Sequence, residues 1–570
     1  MPRPDTAEVA KLLVELGQRN ALRGGNPYRA RAYRRAAESL LALSTPLTEL
    51  IAQDRLREIP GVGEAIAGII KKLHGTGTHP ALETMRQEIP AGVLEMLSVP
   101  GLRPEQVLKL HQKLGLASLA DLEEATRTDR IRSVKGLGAA LQNKILQGLE
   151  IRQGGHQRYH MHRAAELLRA AEANLRQSMA RIRRIVPAGD FRRGCELVSD
   201  LALVVETTSS QKPKVLKPSA QLSVHLADRA RFGATLLCAT GSASHVAALQ
   251  VRARQRGLAL SADGLRSGKK RTAGATEAEI YAALDLPFIE PELREGRDEV
   301  SRAEEGTLPQ LVRDEDVRGL LHVHTDSSDG VHTLEDMAEG TRARGYAYLG
   351  IADHSQSAHY AGGLSEQDIL AQSDAIDRLN RKFRGKFRVL KGIESDIRAD
   401  GSLDYPEGLL ARFDFVVASV HSRFRIDRET QTQRIIRAVN SPYTTILGHM
   451  TGRQLMRRPG YALDIERVLS ACARAGVAVE INANPWRLDL DWRWHRRALE
   501  LGCILSINPD AHSISELDLT HWGVEMARKG GVPKERVLNC LELPALLSFL
   551  KSRRNRQLRP PPADKIARVV

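Results

Sequence analysis

Nine side chains of metal-ligating type recur in short motifs along one stretch of the chain. They are His322, His324 and Asp329 in LHVHTDSSDG, His354 in IADHS, Glu394 in KGIESDI, His421 in ASVHS, His449 in ILGHM, and Asp510 with His512 in NPDAH. Imidazoles and carboxylates together suit Zn²⁺, Mn²⁺ or Fe²⁺, and a set this large implies more than one ion. Such sites activate a water and hold the oxygens of a phosphoester while it breaks. The residues therefore point to a phosphoesterase.

The ligands stand at the ends of short apolar, β-branched or aromatic runs: VRGLLHVH, YAYLGIADH, FRVLKGIE, FDFVVASVH, TTILGH and CILSINPDAH. A further run, VAVEIN, falls between the last two and brings Glu480 and Asn482. Helical stretches such as TLEDMAEGTRARG and DIERVLSACARAG separate these strand-like runs. The alternation predicts βα units around a parallel sheet or barrel. In a parallel barrel the C-terminal strand ends share one rim, where distant residues converge.

These motifs resemble the PHP (polymerase and histidinol phosphatase) metallo-phosphoesterase domain, over roughly residues 316–552. The resemblance implies that all nine ligand positions are filled and that three metals sit in a distorted (βα)7 barrel.

The composition fits a polyanionic partner. Lys+Arg number 84 against 69 Asp+Glu, a formal net charge of +15. A basic chain attracts phosphate backbones by counterion release. A length of 570 residues suggests about four domains. The sequence has no apolar run near membrane-spanning length and no signal-type start. Cys195, Cys238, Cys472, Cys503 and Cys540 form no C-x-x-C pair, so a reduced, cytoplasmic (nucleoid-associated) setting without membrane contact is expected.

Upstream, one small motif recurs as IPGVGEAIAGIIKKL, VPGLRPEQVLKLHQKLG and VKGLGAALQNKIL. Gly61, Gly63, Gly101, Gly136 and Gly138 allow tight turns whose amides can face a phosphate at a helix start. The three copies resemble helix-hairpin-helix elements, which grip DNA backbone without reading sequence. In NPYRARAYRRAAESL, Arg29, Arg31, Arg34 and Arg35 flank Tyr28 and Tyr33, offering a phosphate or stacking surface.

The segment between residues 160 and 300 carries GDFRRG at Gly189–Gly194 and TGS at Thr240–Ser242. With the hairpins and the PHP motifs, this order resembles a bacterial family X DNA polymerase across almost the whole chain. The resemblance implies an N-terminal helical domain (1–85), a fingers-like hairpin region (86–155), a palm (156–250), a thumb-like subdomain (251–305), a linker (306–315), the PHP domain (316–552) and a basic, Pro-rich tail (553–570). It also implies Arg192 and Arg193 as DNA contacts, with gapped, nicked or primer-template DNA and deoxynucleotide triphosphates as partners.

The palm departs from that family pattern. Two-metal nucleotidyl transfer needs two carboxylates at i, i+2 on one strand and a third on its neighbour. VSDLALV keeps Asp200 but has Ala202 at the partner position, and QLSVHLA has Ser223 where the third belongs. Asp190 replaces a small hydroxyl residue beside the triphosphate, which a carboxylate repels. Glu206 and Asp228 are displaced substitutes, leaving Asp200 as the polymerase remnant that Mg²⁺ or Mn²⁺ would use. On the helix after the first hairpin, where relatives place a Schiff-base lysine, the face offers Ala65 and Ile69, with Lys71 and Lys72 beyond.

The expected function is a metal-dependent 3′→5′ exonuclease of DNA repair, with abasic-site cleavage or 3′-phosphate removal as variants. Arg453 and Arg457, after His449, are candidates to hold a phosphate. The alternatives are a weak Mn²⁺-dependent DNA polymerase, a small-molecule PHP phosphatase and a DNA-binding scaffold.

Overall fold

The computed structural model describes residues 4–25, 27–41, 47–59, 61–99, 102–134, 137–138, 141–142, 144–146, 148–149, 158–179, 181–208, 214–219 and 222–558. They form two compact units, Met1–His156 with Met456–Arg458, and Gln157–Leu455 with Pro459–Val570.

The first unit is helical. Helices Thr6–Leu22, Pro27–Leu41, Leu47–Ala52, Glu64–Thr76 and Pro80–Glu88 close over Leu13, Leu16, Tyr33, Ile70 and Leu73. Helices Ala91–Met96, Pro104–Leu114 and Leu119–Arg127 share a second core around Val93, Val107, Leu110 and Leu122. Gly61, at φ +78°, takes the left-handed turn of the first hairpin, and Gly63 is the N-cap of Glu64–Thr76. Gly138 is also left-handed, at φ +70°, whereas Gly101 and Gly136 lie outside the described residues.

Two expectations change here. Tyr33 is a buried core residue, hydrogen-bonded by Arg29 Nε at 3.2 Å, so it is no stacking platform. Ile69 faces the core while Ala65, Lys71 and Lys72 are exposed, and Lys71 pairs with Asp54 at 2.5 Å.

The second unit begins with β1 (Tyr159–His160) and the helix Met161–Ser178. The strands β2 (Ile182–Ala188), β4 (Leu201–Thr207), β5 (Lys214–Ser219) and β6 (Leu222–Ala227) form a sheet in the order β2-β4-β6-β5, and β3 (Leu197–Val198) pairs with β1. Helices Phe232–Thr240, Ala243–Gln255 and Glu277–Ala283 follow, packed with a small sheet of β7 (Ala259–Ser261), β8 (Gly264–Ser267) and β9 (Lys270–Ala273).

The seven apolar runs read from sequence become seven parallel strands in chain order: β10 (Gly319–Val323), β11 (Tyr348–Ile351), β12 (Arg388–Asp396), β13 (Phe415–Ser419), β14 (Ile446–Leu447), β15 (Ala478–Asn482) and β16 (Leu505–Asn508). The ring closes past the strand ends, where Val323 bridges Ala511 and His324 N–H donates to the Ala511 carbonyl at 2.9 Å. The intervening helices start on side-chain caps, as at Thr333 with Asp336 and Ser365 with Asp368.

Alternation along the strands separates two layers. Ile393, Val416, Ala418, Val479, Ile481, Leu505 and Ile507 pack outward. Phe415, Leu321, Tyr348 and Leu390 belong to a separate core cluster, in which Phe415 lies against Gly350 and Gly392. An added Cβ at Gly350 or Gly392 would fall 2.6 Å or 2.3 Å from that ring, so the close approach requires glycine.

Candidate metal centre

Strict alternation in β10 would put Leu320, His322 and His324 on one face. Instead Leu320 packs outward with Val323, while Leu321 joins the Phe415 cluster. The β10–β11 register shifts between Leu320 and Val323, and His322 sits at φ +62°. This bulge re-aims one residue without losing the apolar face, so both imidazoles reach the rim. Asp510, at φ +52°, is the other candidate ligand in left-handed backbone. Both are positions where local strain is retained for the site.

Glu394, on β12, is the hub. Its Oε1 lies 3.3 Å from His322 Nε2, 3.3 Å from His421 Nε2 and 3.0 Å from His449 Nε2. Its Oε2 lies 2.9 Å from His354 Nδ1 and 3.7 Å from His324 Nε2. Asp510 Oδ1 is 3.3 Å from His324 Nε2 and 3.6 Å from His322 Nε2. Asp329 Oδ1 is 3.3 Å from His512 Nε2 and 3.6 Å from His354 Nε2.

All nine sequence-picked ligands thus fall into four overlapping groups of metal-coordinating size: His324–Asp329–His354–His512, His322–His324–Asp510, His322–Glu394–His449 and His354–Glu394–His421. The donor set fits divalent ions on a second count. His322 Nε2, both nitrogens of His324 and His354 Nδ1 are buried with no hydrogen-bond partner among the described residues. Such atoms are costly to bury unless something else satisfies them.

Several orienting residues were not picked out as ligands. Glu480 accepts from His322 Nδ1 at 2.5 Å and from His449 N–H at 2.6 Å. Asp396 accepts from His421 Nδ1 at 2.5 Å. Each fixes the tautomer that turns Nε2 toward Glu394. Buried Asp353 takes Thr325 N–H and Oγ1 at 2.7 Å each and Ser328 Oγ at 2.5 Å, which shapes the loop carrying Asp329. Position is the available signal: Glu480 ends a strand run, Asp396 follows Glu394 by two, and Asp353 precedes His354.

The electrostatics follow from crowding. Burial opposes charge on His322, yet Glu480, Glu394 and Asp510 hold it well above the usual histidine range. His421, beside Glu394 and Asp396, is raised to about 10 against its burial. Burial, with His512 close by, drives His324 down to about 3. Although burial works against it, Glu394 is held well below the ordinary carboxylate range by His421, His322 and His354.

Three of the arginines proposed for phosphate or DNA are held by acceptors within the fold. Arg453 is 11% exposed, donating to Arg487 O at 3.0 Å, to Leu488 O and to Asp491 at 2.7 Å. Arg192 grips Glu277 through both amino groups at 2.8 and 2.6 Å. Arg193 binds Asp190 at 2.5 Å, Glu295 at 2.9 Å and Thr240 O at 2.6 Å. Carboxylates of the fold claim these guanidiniums, so the GDFRRG motif braces the palm against the segment that follows it. Arg457, by contrast, is exposed.

In the palm, β4 and β6 run parallel with Ala202 directly beside Ser223. Asp200 lies just before β4, and burial followed by the charge of Asp190 raises its carboxyl. Glu206 is tied to Arg184 at 2.6 Å, and Asp228 is paired with Arg231.

A near-closed seven-stranded barrel with this rim, following a palm-like sheet and two helical hairpin regions, defines a polymerase-associated metallo-phosphoesterase. Segments of the chain match family models described as helix-hairpin-helix domain (residues 4–79), SAM-like helix-hairpin-helix tandem (93–150), DNA polymerase beta thumb (235–295) and PHP domain (321–484). The chain is 33% identical to the DNA polymerase/3′-5′ exonuclease PolX of Bacillus subtilis strain 168, over 95% of its own length and 99% of that protein. It is 28% identical to a probable phosphatase of Thermoanaerobacter sp. strain X514, over 41% of this chain and 95% of the relative. A probable phosphatase of Caldanaerobacter subterraneus is 26% identical over 42% and 94%. The chain belongs to the bacterial family X DNA polymerases that carry a PHP domain.

Proposed function

We propose that this protein is a DNA-repair nuclease whose PHP barrel removes nucleotides from DNA 3′ ends, with three Mn²⁺, Zn²⁺ or Fe²⁺ ions in the nine-donor rim. The observation that carries this reading is the convergence of all nine side chains into four overlapping groups, with buried imidazole nitrogens left unsatisfied. The 3′-5′ exonuclease activity in the name of the Bacillus relative supports a DNA substrate. Ions held there would activate a water and neutralise charge on the phosphate oxygens. The residues supply the frame: Glu480 and Asp396 lock imidazole tautomers, and Asp353 fixes the Asp329 loop. The same centre would suit abasic-site cleavage or 3′-phosphate removal. The hairpin turns at Gly61, Gly63 and Gly138 are read as contacts to gapped, nicked or primer-template backbone. No helix among the described residues is long and apolar enough to cross a membrane.

In this reading the palm holds DNA but polymerises poorly. The pairing of Ala202 with Ser223 leaves Asp200 without its two partner carboxylates. Asp190, bonded to Arg193 and to Ser199 N–H at 2.9 Å, stands where a triphosphate would need donors. Weak extension with Mn²⁺ is the second reading, favoured by the retained Asp200. Labelled primer-template with Mn²⁺, with and without deoxynucleotides, separates them: shortening supports the first, net lengthening the second.

A further inference from the structure

Arg487 stands beside the ligand cluster, next to Asp510. It lies in the loop after β15, with its Nε 3.6 Å from Asp510 Oδ2 and its side chain 21% exposed. That separation is too long for a hydrogen bond. The nearby Asp510 Oδ2 already accepts from Asn482 Nδ2 at 3.0 Å. Among the hydrogen bonds of the described residues, the Arg487 guanidinium donates none, whereas that of Arg453 is fully engaged.

The loop itself is built to present Arg487. Its N–H donates to Asn484 O at 2.8 Å, and its carbonyl accepts from Arg453 Nε at 3.0 Å. Arg453 also holds Leu488 O and Asp491, anchoring the loop on both sides of Arg487. The fully hydrogen-bonded Arg453 therefore buttresses Arg487, whose one close charge partner among the described residues is Asp510.

Beside His354 and His421 stands Tyr360, 69% exposed, on the short turn His359–Ala361. Its ring lies 5.9 Å from the His354 ring and 6.2 Å from the His421 ring, edge-on to each. A large aromatic left this open beside buried imidazoles has a face available for a nucleoside.

We propose that Arg487 and Tyr360 form the recognition frame for the terminal nucleotide: Arg487 takes a non-bridging oxygen of the scissile phosphodiester, and Tyr360 stacks on its nucleoside. A planar guanidinium presents paired donors suited to a phosphate, and the proposal rests on the phosphodiesterase reading above.

The test uses the full-length metal-loaded protein with two chromogenic phosphodiesters, thymidine 5′-p-nitrophenyl phosphate and bis-p-nitrophenyl phosphate. Arg487→Ala should lower kcat/KM on both by about 10- to 100-fold, with Arg487→Lys recovering part of it, metal content unchanged and inhibition by inorganic phosphate weakened. Tyr360→Ala should lower kcat/KM about tenfold on the thymidine ester alone, and Tyr360→Phe should restore it, since stacking needs only the ring. Wild-type rates on both esters in Arg487→Ala, or lost metal content in that variant, overturn the phosphate role. An equal loss on both esters in Tyr360→Ala overturns the nucleoside role. If wild type cleaves neither ester nor DNA, the phosphodiesterase reading itself has failed.

Discussion

Replacing Glu480 with glutamine isolates the orienting shell from the ligands themselves. Glu480 Oε1 accepts from His322 Nδ1 at 2.5 Å and Asn508 Nδ2 at 2.9 Å, and Oε2 accepts from His449 N–H at 2.6 Å and Asn482 Nδ2 at 3.3 Å. Every partner is a donor, because an ionised carboxylate can only accept. A carboxamide of the same shape must turn its own N–H₂ toward one pair of donors. Leaving such buried groups unmatched costs about 1–3 kcal/mol. The loss falls on His322, whose Nε2 then no longer points by default at Glu394. Removing an orienting partner typically lowers metal affinity 10- to 100-fold, or about 1.4–2.8 kcal/mol. The two estimates agree. Mn²⁺ titration of the Glu480→Gln protein, followed by bound-metal analysis, should show that weakening. Digestion of a 3′-labelled strand should fall in step at limiting Mn²⁺ and recover at saturation. Unchanged metal affinity, or dead enzyme at full occupancy, would refute the orienting role.

Three further outcomes follow from the fold. Glu525 is pushed up to about 7, by burial first and by Glu292 second, so the folded chain keeps a proton that the unfolded chain releases above its ordinary 4.5. Folding stability therefore falls as pH rises across that window, and Glu525→Gln should raise Tm over the parent at pH 8 with the gap narrowing toward pH 5; a gap constant with pH contradicts this. Because Ala202 and Ser223 are direct neighbours on parallel strands, Ala202→Asp with Ser223→Asp, together with Asp190→Ser, should raise Mg²⁺-dependent primer extension well above the parent. A folded triple variant that gains nothing rejects the palm reading. Removing residues 1–156 should weaken duplex binding at least about tenfold at low salt and flatten its salt dependence, since the hairpins contact phosphates; equal binding rejects that division of labour.

Much of this was legible in the chain. Strand-end placement anticipated all seven barrel strands and picked nine side chains that the fold brings together, because βα periodicity and ligand spacing are local properties. The palm register was also readable, with Ala202 and Ser223 meeting as their strand patterns implied. Arginine roles were not. Arg192 and Arg193 looked like DNA contacts until Glu277 and Glu295, about 85 to 100 residues away, were seen to claim them. Arg453 and Arg487 differ only in which acceptors surround them, and that depends on tertiary packing. The bulge at His322 was hidden too, since simple alternation already put His322 and His324 on one face.

The most direct test compares three proteins on 3′-extendable, 5′-labelled primer-template with Mn²⁺ and deoxynucleotides: wild type, His322→Ala/His324→Ala, and Asp200→Asn. The account predicts progressive shortening by wild type and by Asp200→Asn. It predicts no shortening by the double variant, which should still bind DNA with near wild-type affinity. Shortening by the His322→Ala/His324→Ala protein at the wild-type rate would contradict it, because the hydrolytic centre would then lie away from the barrel rim.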